Sequence, residues 1–108
     1  MPYEVLLTRD AERDLVGLYN YIAEHDALES ANYLLGRIEA VTLELAELPE
    51  RGNYPPELLE LGIREYRERF FKPYRIIYRV IQKQGYVMVI ADGRRDMKSL
   101  LERRLIAG

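Results

Sequence analysis

Arginine and tyrosine dominate the part of this 108-residue sequence that could do chemistry. Arg64, Arg67, Arg69, Lys72, Arg75 and Arg79 crowd one stretch, and Arg94, Arg95, Lys98, Arg103 and Arg104 follow it. A guanidinium is a rigid fork of donors matched to phosphate and carboxylate, so such a cluster suits an anionic partner. Arg75 and Arg79, four apart in a strand-like run, are expected on the same face. Nine tyrosines accompany them and could stack on bases or move protons. Tyr74 and Tyr78, however, fall on the apolar alternation of that run, where a core or edge role is the simpler expectation. The single histidine, His25, stands where a helix should end and suits a cap. Asp92 and Asp96 flank Gly93-Arg94-Arg95 and read as turn and cap residues rather than metal ligands.

Composition narrows the chemistry further. There is no cysteine, which excludes disulfides, thiolate metal sites and thiol nucleophiles, and one histidine leaves little for a Ser-His-Asp triad. No metal or other cofactor is expected. At 48% apolar and 31% charged residues the chain reads as one globular domain spanning 1–108. It has no apolar run of membrane-spanning length and no basic leader, so a cytoplasmic location away from membranes is expected. The net charge of −2 hides an asymmetry: residues 1–63 hold 4 Arg against 13 Asp and Glu, whereas residues 64–108 hold 12 Lys and Arg against 5. Either the two halves form an acidic and a basic surface, or they neutralise each other across the fold.

The elements that must position these groups follow from periodicity. Residues 3–7 predict an opening strand. Thr8 or Asp10 can cap a helix in which Ala11, Leu15, Leu18, Tyr19 and Ile22 recur at helical spacing. Asp26 and Glu29 resemble a capping box for a second helix carrying Ala31, Leu34, Leu35, Ile38, Val41, Leu45 and Leu48 on one side until Pro49. The short connection makes the two an antiparallel hairpin. Residues 49–56 predict a loop, 57–61 a helical turn, and 63–71 a strand wetted on one face. Residues 74–81 are the strongest strand, Gln84-Gly85 a tight turn, and 86–91 the returning strand. Asp96 predicts the cap of a final helix with Met97, Leu100, Leu101 and Leu105 inward. The class is therefore α+β: an N-terminal strand and a helical hairpin packed on a mostly antiparallel sheet, with a C-terminal helix.

The hairpin, Leu48-Pro49-Glu50-Arg51-Gly52, Gly62-Ile63-Arg64-Glu65-Tyr66, Tyr74-Arg75-Ile76-Ile77-Tyr78-Arg79-Val80 and Asp92-Gly93-Arg94-Arg95-Asp96 together resemble the RelE/ParE superfamily of bacterial type II toxins, over nearly the whole chain. The resemblance implies a toxin held inactive by a cognate antitoxin, as a hetero-oligomer or with a homodimeric toxin. It implies one of two activities: ParE-like inhibition of DNA gyrase, or RelE-like cleavage of messenger RNA on the ribosome. Arg95 stands where RelE-like nucleases carry a catalytic arginine. Phe70 stands where a second such arginine aligns, Leu101 where a terminal tyrosine aligns, and Asp92 where many ParE relatives have histidine. Cleavage through a 2′-hydroxyl needs a proton acceptor, a proton donor and cations, and only the cations are plain. A pI near 5.5 also suits docking among RNA phosphates poorly. The ParE-like branch is thus favoured, with Arg64, Arg75, Arg79, Arg94, Arg95 and Lys98 as the surface for target or antitoxin. The nuclease alternative would use Arg75, Arg79 and Arg95 on phosphate with Tyr78 assisting, and a degenerate, non-toxic relative is the third reading.

Overall fold

The computed structural model describes residues 2–106. Strand β1 (Glu4–Leu7) leads into α1 (Arg9–His25) and α2 (Leu28–Glu47), followed by a single turn α3 (Pro56–Leu59). Strands β2 (Tyr66–Phe71), β3 (Tyr74–Ile81) and β4 (Gln84–Asp92) come next, then α4 (Met97–Leu101), which runs on as a wider π-type turn through Ile106. The sheet order is β1-β4-β3-β2, with β1 parallel to β4 and the other pairs antiparallel.

Helix starts follow their caps. Thr8 accepts from the Ala11 N–H at 3.2 Å, and Asp96 accepts from the Ser99 N–H at 3.2 Å and the Ser99 hydroxyl at 2.7 Å. The expected Asp26/Glu29 capping box does not form: Ala27 occupies the cap position of α2, and no side chain caps it. Asp26 belongs to the end of α1 instead, donating its N–H to the Ile22 carbonyl. The tight turn also falls two residues early, at Gln82-Lys83, where Gln82 takes φ 55°, and Gln84 and Gly85 already pair in β4.

Both faces of the sheet are covered. The hairpin buries Ala11, Leu34, Ile38, Val41 and Leu45 against Ile76, Tyr78, Val87 and Ile90. On the opposite face α3 and α4 bring Leu58, Met97, Leu100 and Leu101 onto Ile77, Val89 and Ala91. A bulge makes this possible: Ile77 pairs with Val89 but Tyr78 with Val87, so Met88 has no partner and the phase of β4 flips. Val87 and Ile90 then face the hairpin while Val89 and Ala91 face the other core.

β1 is short and stops at Leu7, opposite Val87. Beyond it the outer edge of β4 is closed by side chains. The Asp14 carboxylate accepts from the Ile90 N–H at 3.0 Å, and Arg104 donates to the Met88 carbonyl at 3.0 Å. Arg104 and Asp14 join each other at 2.9 and 3.0 Å, so an ion pair occupies the place of a neighbouring strand.

Candidate cationic surface

The two charge halves meet in part. Arg69 pairs with Glu44, Arg75 with Glu57, and Arg104 with Asp14, each joining the basic half to the acidic one. What stays unpaired is the candidate surface. The expectation of one shared cationic patch is not met, because the six predicted residues are divided among three environments.

Arg75 is inside the protein, 9% exposed. Its Nη atoms donate to both Glu57 oxygens at 2.8 and 2.7 Å and its Nε to Glu68 at 2.7 Å. The Glu57 bond chiefly raises the guanidinium pKa, and in return holds the Glu57 carboxyl below its ordinary range. Arg75 therefore fastens α3 to β2 and β3 and has no charge left for a partner. Gly93 lies against its stem, where a Cβ would come within 2.8 Å of Cδ. Phe70, paired across the ladder with Arg75, is 61% exposed and adds an apolar ring beside this buried pair.

Arg94, Arg95 and Lys98 lie exposed at the β4–α4 turn. Arg94 folds back on Asp92, whose carboxyl accepts from the Arg94 N–H and Nε at 2.9 Å; this contact holds the Asp92 pKa below its usual value. Arg95 and Lys98 form no ion pair among the described residues.

Arg64 and Arg79 are at the other end of the sheet. Tyr66 opens β2 and pairs with Arg79, which brings the residue two before it, Arg64, to the same end. Tyr74, at the far end of β3, pairs with Asp92 beside the β4–α4 turn. The run of β3 from Tyr74 to Arg79, about 17 Å at the usual rise of a strand, keeps the two patches apart. With Arg64 and Arg79 stands Arg67, which the sequence pattern did not assign to the site. The three line a depression of about 330 Å³ together with Tyr3, Glu50 and Glu65. Arg67 is held rigidly: Nη1 donates to the Glu50 and Gly52 carbonyls at 3.2 and 3.0 Å, Nη2 donates to the Tyr54 hydroxyl at 3.3 Å, and the group lies over the Tyr54 ring at 4.7 Å. All these acceptors are neutral, and among the described residues no carboxylate forms an ion pair with it. Arg79 rests over Tyr66 at 5.8 Å, and neither it nor Arg64 has a carboxylate partner among the described residues. The signal for Arg67 was its place in a strand beside the loop of residues 49–56, whose bare carbonyls need donors.

Tyr78 is a core residue, 1% exposed. Its hydroxyl donates to the Pro49 carbonyl at 2.8 Å and accepts from the Gly52 N–H at 3.0 Å, and burial pushes its pKa up. Tyr78→Phe is expected to cost about 1–2 kcal/mol of stability by leaving that buried N–H without an acceptor. Chemical denaturation checks this, and any toxic activity per folded molecule should be unchanged. A depression of about 790 Å³ lies elsewhere, between the hairpin turn and the β2–β3 turn, lined by Tyr21, His25, Tyr33 and Phe71 among others. There His25 stacks on Tyr21 at 4.2 Å and its Nδ1 donates to the Tyr21 carbonyl at 2.9 Å, as suits a residue closing α1. Among the described residues no group of three His, Cys, Asp or Glu could hold a metal ion, and no helix is long and apolar enough to cross a membrane.

This arrangement can be set beside known proteins. Toxin ParE3 of Caulobacter vibrioides is 27% identical over 100 residues, covering 93% of this chain and 96% of that protein. A structure of the chromosomal ParDE system from P. aeruginosa superposes with a TM-score of 0.68 at 20% identity, over 83% of this chain and 95% of the other. The RelBE2 toxin–antitoxin complex from Mycobacterium tuberculosis follows at 0.60 and 22%, over 85% and 99%. Both share the α+β fold described above. Residues 5–98 match the family described as the ParE toxin of the type II toxin–antitoxin system parDE, and the chain belongs to that family.

Proposed function

We propose that this toxin acts by binding and inhibiting DNA gyrase in the cytoplasm, without cutting nucleic acid, and that a cognate antitoxin silences it by covering its exposed cations. The observation that carries the reading is the fate of Arg75 and Tyr78. Two of the four residues a nuclease would draw on are committed to the core, one neutralised by Glu57 and Glu68, the other bonded to Pro49 and Gly52. Arg79 and Arg95, the other two, lie at opposite ends of the sheet and cannot close on a single phosphate. A protein target asks for no proton transfer, and Arg94, Arg95 and Lys98 on the β4–α4 turn are the contact surface we assign to it.

The test is supercoiling of relaxed plasmid by purified gyrase, titrated with the toxin, beside a ribosome-programmed message. Loss of supercoiling with an intact message is expected. Arg94→Ala combined with Arg95→Ala should abolish the inhibition while circular dichroism and melting stay close to the parent, since both side chains are exposed and, among the described residues, Arg94 pairs with Asp92 alone and Arg95 forms no ion pair. Codon-linked cuts in the message with normal supercoiling would overturn the reading in favour of a nuclease.

A further inference from the structure

The hollow of about 790 Å³ between the hairpin turn and the β2–β3 turn holds charged and aromatic side chains that the proposed function does not use. Its wall on α2 is ordered. Glu29, Tyr33 and Arg37 follow one another at successive turns, a carboxylate, an aromatic ring and a guanidinium spread over about 12 Å of helix axis. That span is comparable to the reach of a mononucleotide from the pairing edge of its base to its 5′-phosphate. We infer that this hollow binds a guanine nucleotide, with the N1–H and 2-amino group of the base on Glu29, the ring on Tyr33 and the phosphate on Arg37 and Lys72. The inference is independent of the gyrase reading, since none of Arg94, Arg95 and Lys98 lines the hollow.

Each end selects its part of the ligand. At the hairpin turn the carboxylates of Asp26 and Glu29 can only accept hydrogen bonds, and because His25 Nδ1 donates to the Tyr21 carbonyl, the neutral imidazole keeps only an acceptor at Nε2. Such an end calls for adjacent donors. Guanine offers two side by side, spaced to meet both oxygens of one carboxylate, whereas adenine and cytosine set a ring acceptor beside their amino group. At the other end Arg37 rests over the Phe71 ring at 5.5 Å, and neither Arg37 nor Lys72 forms an ion pair among the described residues. A guanidinium steadied by a ring face keeps its fork for phosphate. Between the ends, Tyr33 is 64% exposed, an open ring on which a base can stack. Asp26 and Glu29 repel phosphate from their own end, so the charges fix the direction in which the ligand lies. The volume is within the range of about 300–1,000 Å³ usual for small-molecule sites.

The test is isothermal titration with guanosine monophosphate (GMP), inosine monophosphate (IMP), guanosine and L-arginine, beside amide shifts in labelled toxin. Saturable GMP binding is expected, with shifts confined to residues around 21–37 and 71–74. IMP, which lacks only the 2-amino group, should bind about tenfold more weakly, and so should guanosine, which lacks the phosphate. L-arginine carries donors at one end and a carboxylate at the other but no ring, and should fall at least about tenfold short. Glu29→Gln should bring GMP and IMP to within about twofold of each other, and Arg37→Gln should do the same for GMP and guanosine. Both side chains are exposed, so these variants should melt with the parent. A hexanucleotide beginning with 5′-phosphorylated guanosine, run against GMP, shows whether the ligand is the free nucleotide or the end of an RNA. Four results would overturn the inference: no saturable binding of GMP or hexanucleotide, equal affinity for GMP and IMP in the parent, L-arginine binding as well as GMP, or a preference for GMP over IMP that survives Glu29→Gln. Gyrase supercoiling does not enter this measurement, so failure of either reading leaves the other standing.

Discussion

Arg75→Met should lower the unfolding free energy by about 2–3 kcal/mol, read from urea or guanidinium midpoints. The substitution keeps an apolar stem over the sheet but leaves Glu57 and Glu68 facing each other with no cation between them. Removing one partner of a buried ion pair commonly costs about 3–5 kcal/mol, and the lower figure here reflects carboxylates whose side chains are 23% and 13% exposed. Adding Glu57→Gln and Glu68→Gln to the Arg75→Met variant should recover most of the loss, because the damage lies in the stranded charges. The effect also depends on pH. Glu57's carboxyl sits below its ordinary value in the folded protein, so its ion pair adds stability above the unfolded carboxylate pKa of about 4.3. That stability disappears as pH falls through the lowered folded value. Parent and variant should therefore converge in strong acid and diverge toward neutrality. Identical pH profiles would show that Arg75 holds nothing together.

Gly52→Ala should be at least as damaging, about 3 kcal/mol, or roughly 15 °C in melting temperature for a domain of this size. A Cβ at this position would come within 2.5 Å of the Tyr78 hydroxyl and 2.6 Å of the Glu68 carbonyl oxygen. The side chain could yield, but the carbonyl is pinned by the paired bonds between Asn53 and Glu68, at 3.1 and 2.7 Å. The loop must therefore lift, taking with it the Tyr78 and Arg67 contacts to Gly52. Tyr78→Phe removes the shortest of the three close approaches, leaving those to the ring Cε1 at 2.9 Å and to the Glu68 carbonyl, so the Gly52→Ala, Tyr78→Phe double variant should cost less than the two single losses added. Strict additivity would mean that the loop and the tyrosine are independent.

Much of the frame is legible in the residues because it rests on local rules. Thr8 and Asp96 announce their helices, Pro49 ends α2, and the run from Tyr74 to Ile81 alternates so clearly that it marks both ends of β3. What escapes depends on partners distant in sequence. Alternation puts Arg75 and Arg79 on one face of β3 but does not say what covers that face; α3, a single turn, brings Glu57 over one and leaves the other open. Nothing local marks Met88 as unpaired, since the bulge arises where two cores demand apolar residues from consecutive positions of β4. The capping box fails because Ala27 adopts the extended backbone at the cap position and leaves Asp26 to α1. The cations read as one patch because sequence spacing does not reveal that Arg79 and Arg95 flank opposite ends of the same strand pair.

The pairing of Asp14 with Arg104 joins side chains 90 residues apart. Until residue 104 docks, the Met88 carbonyl lacks its donor, and Asp14, which holds the Ile90 amide, lacks its counter-charge. A molecule in that state is open to sideways association along the outer edge of β4, and docking of the turn after α4 removes the hazard.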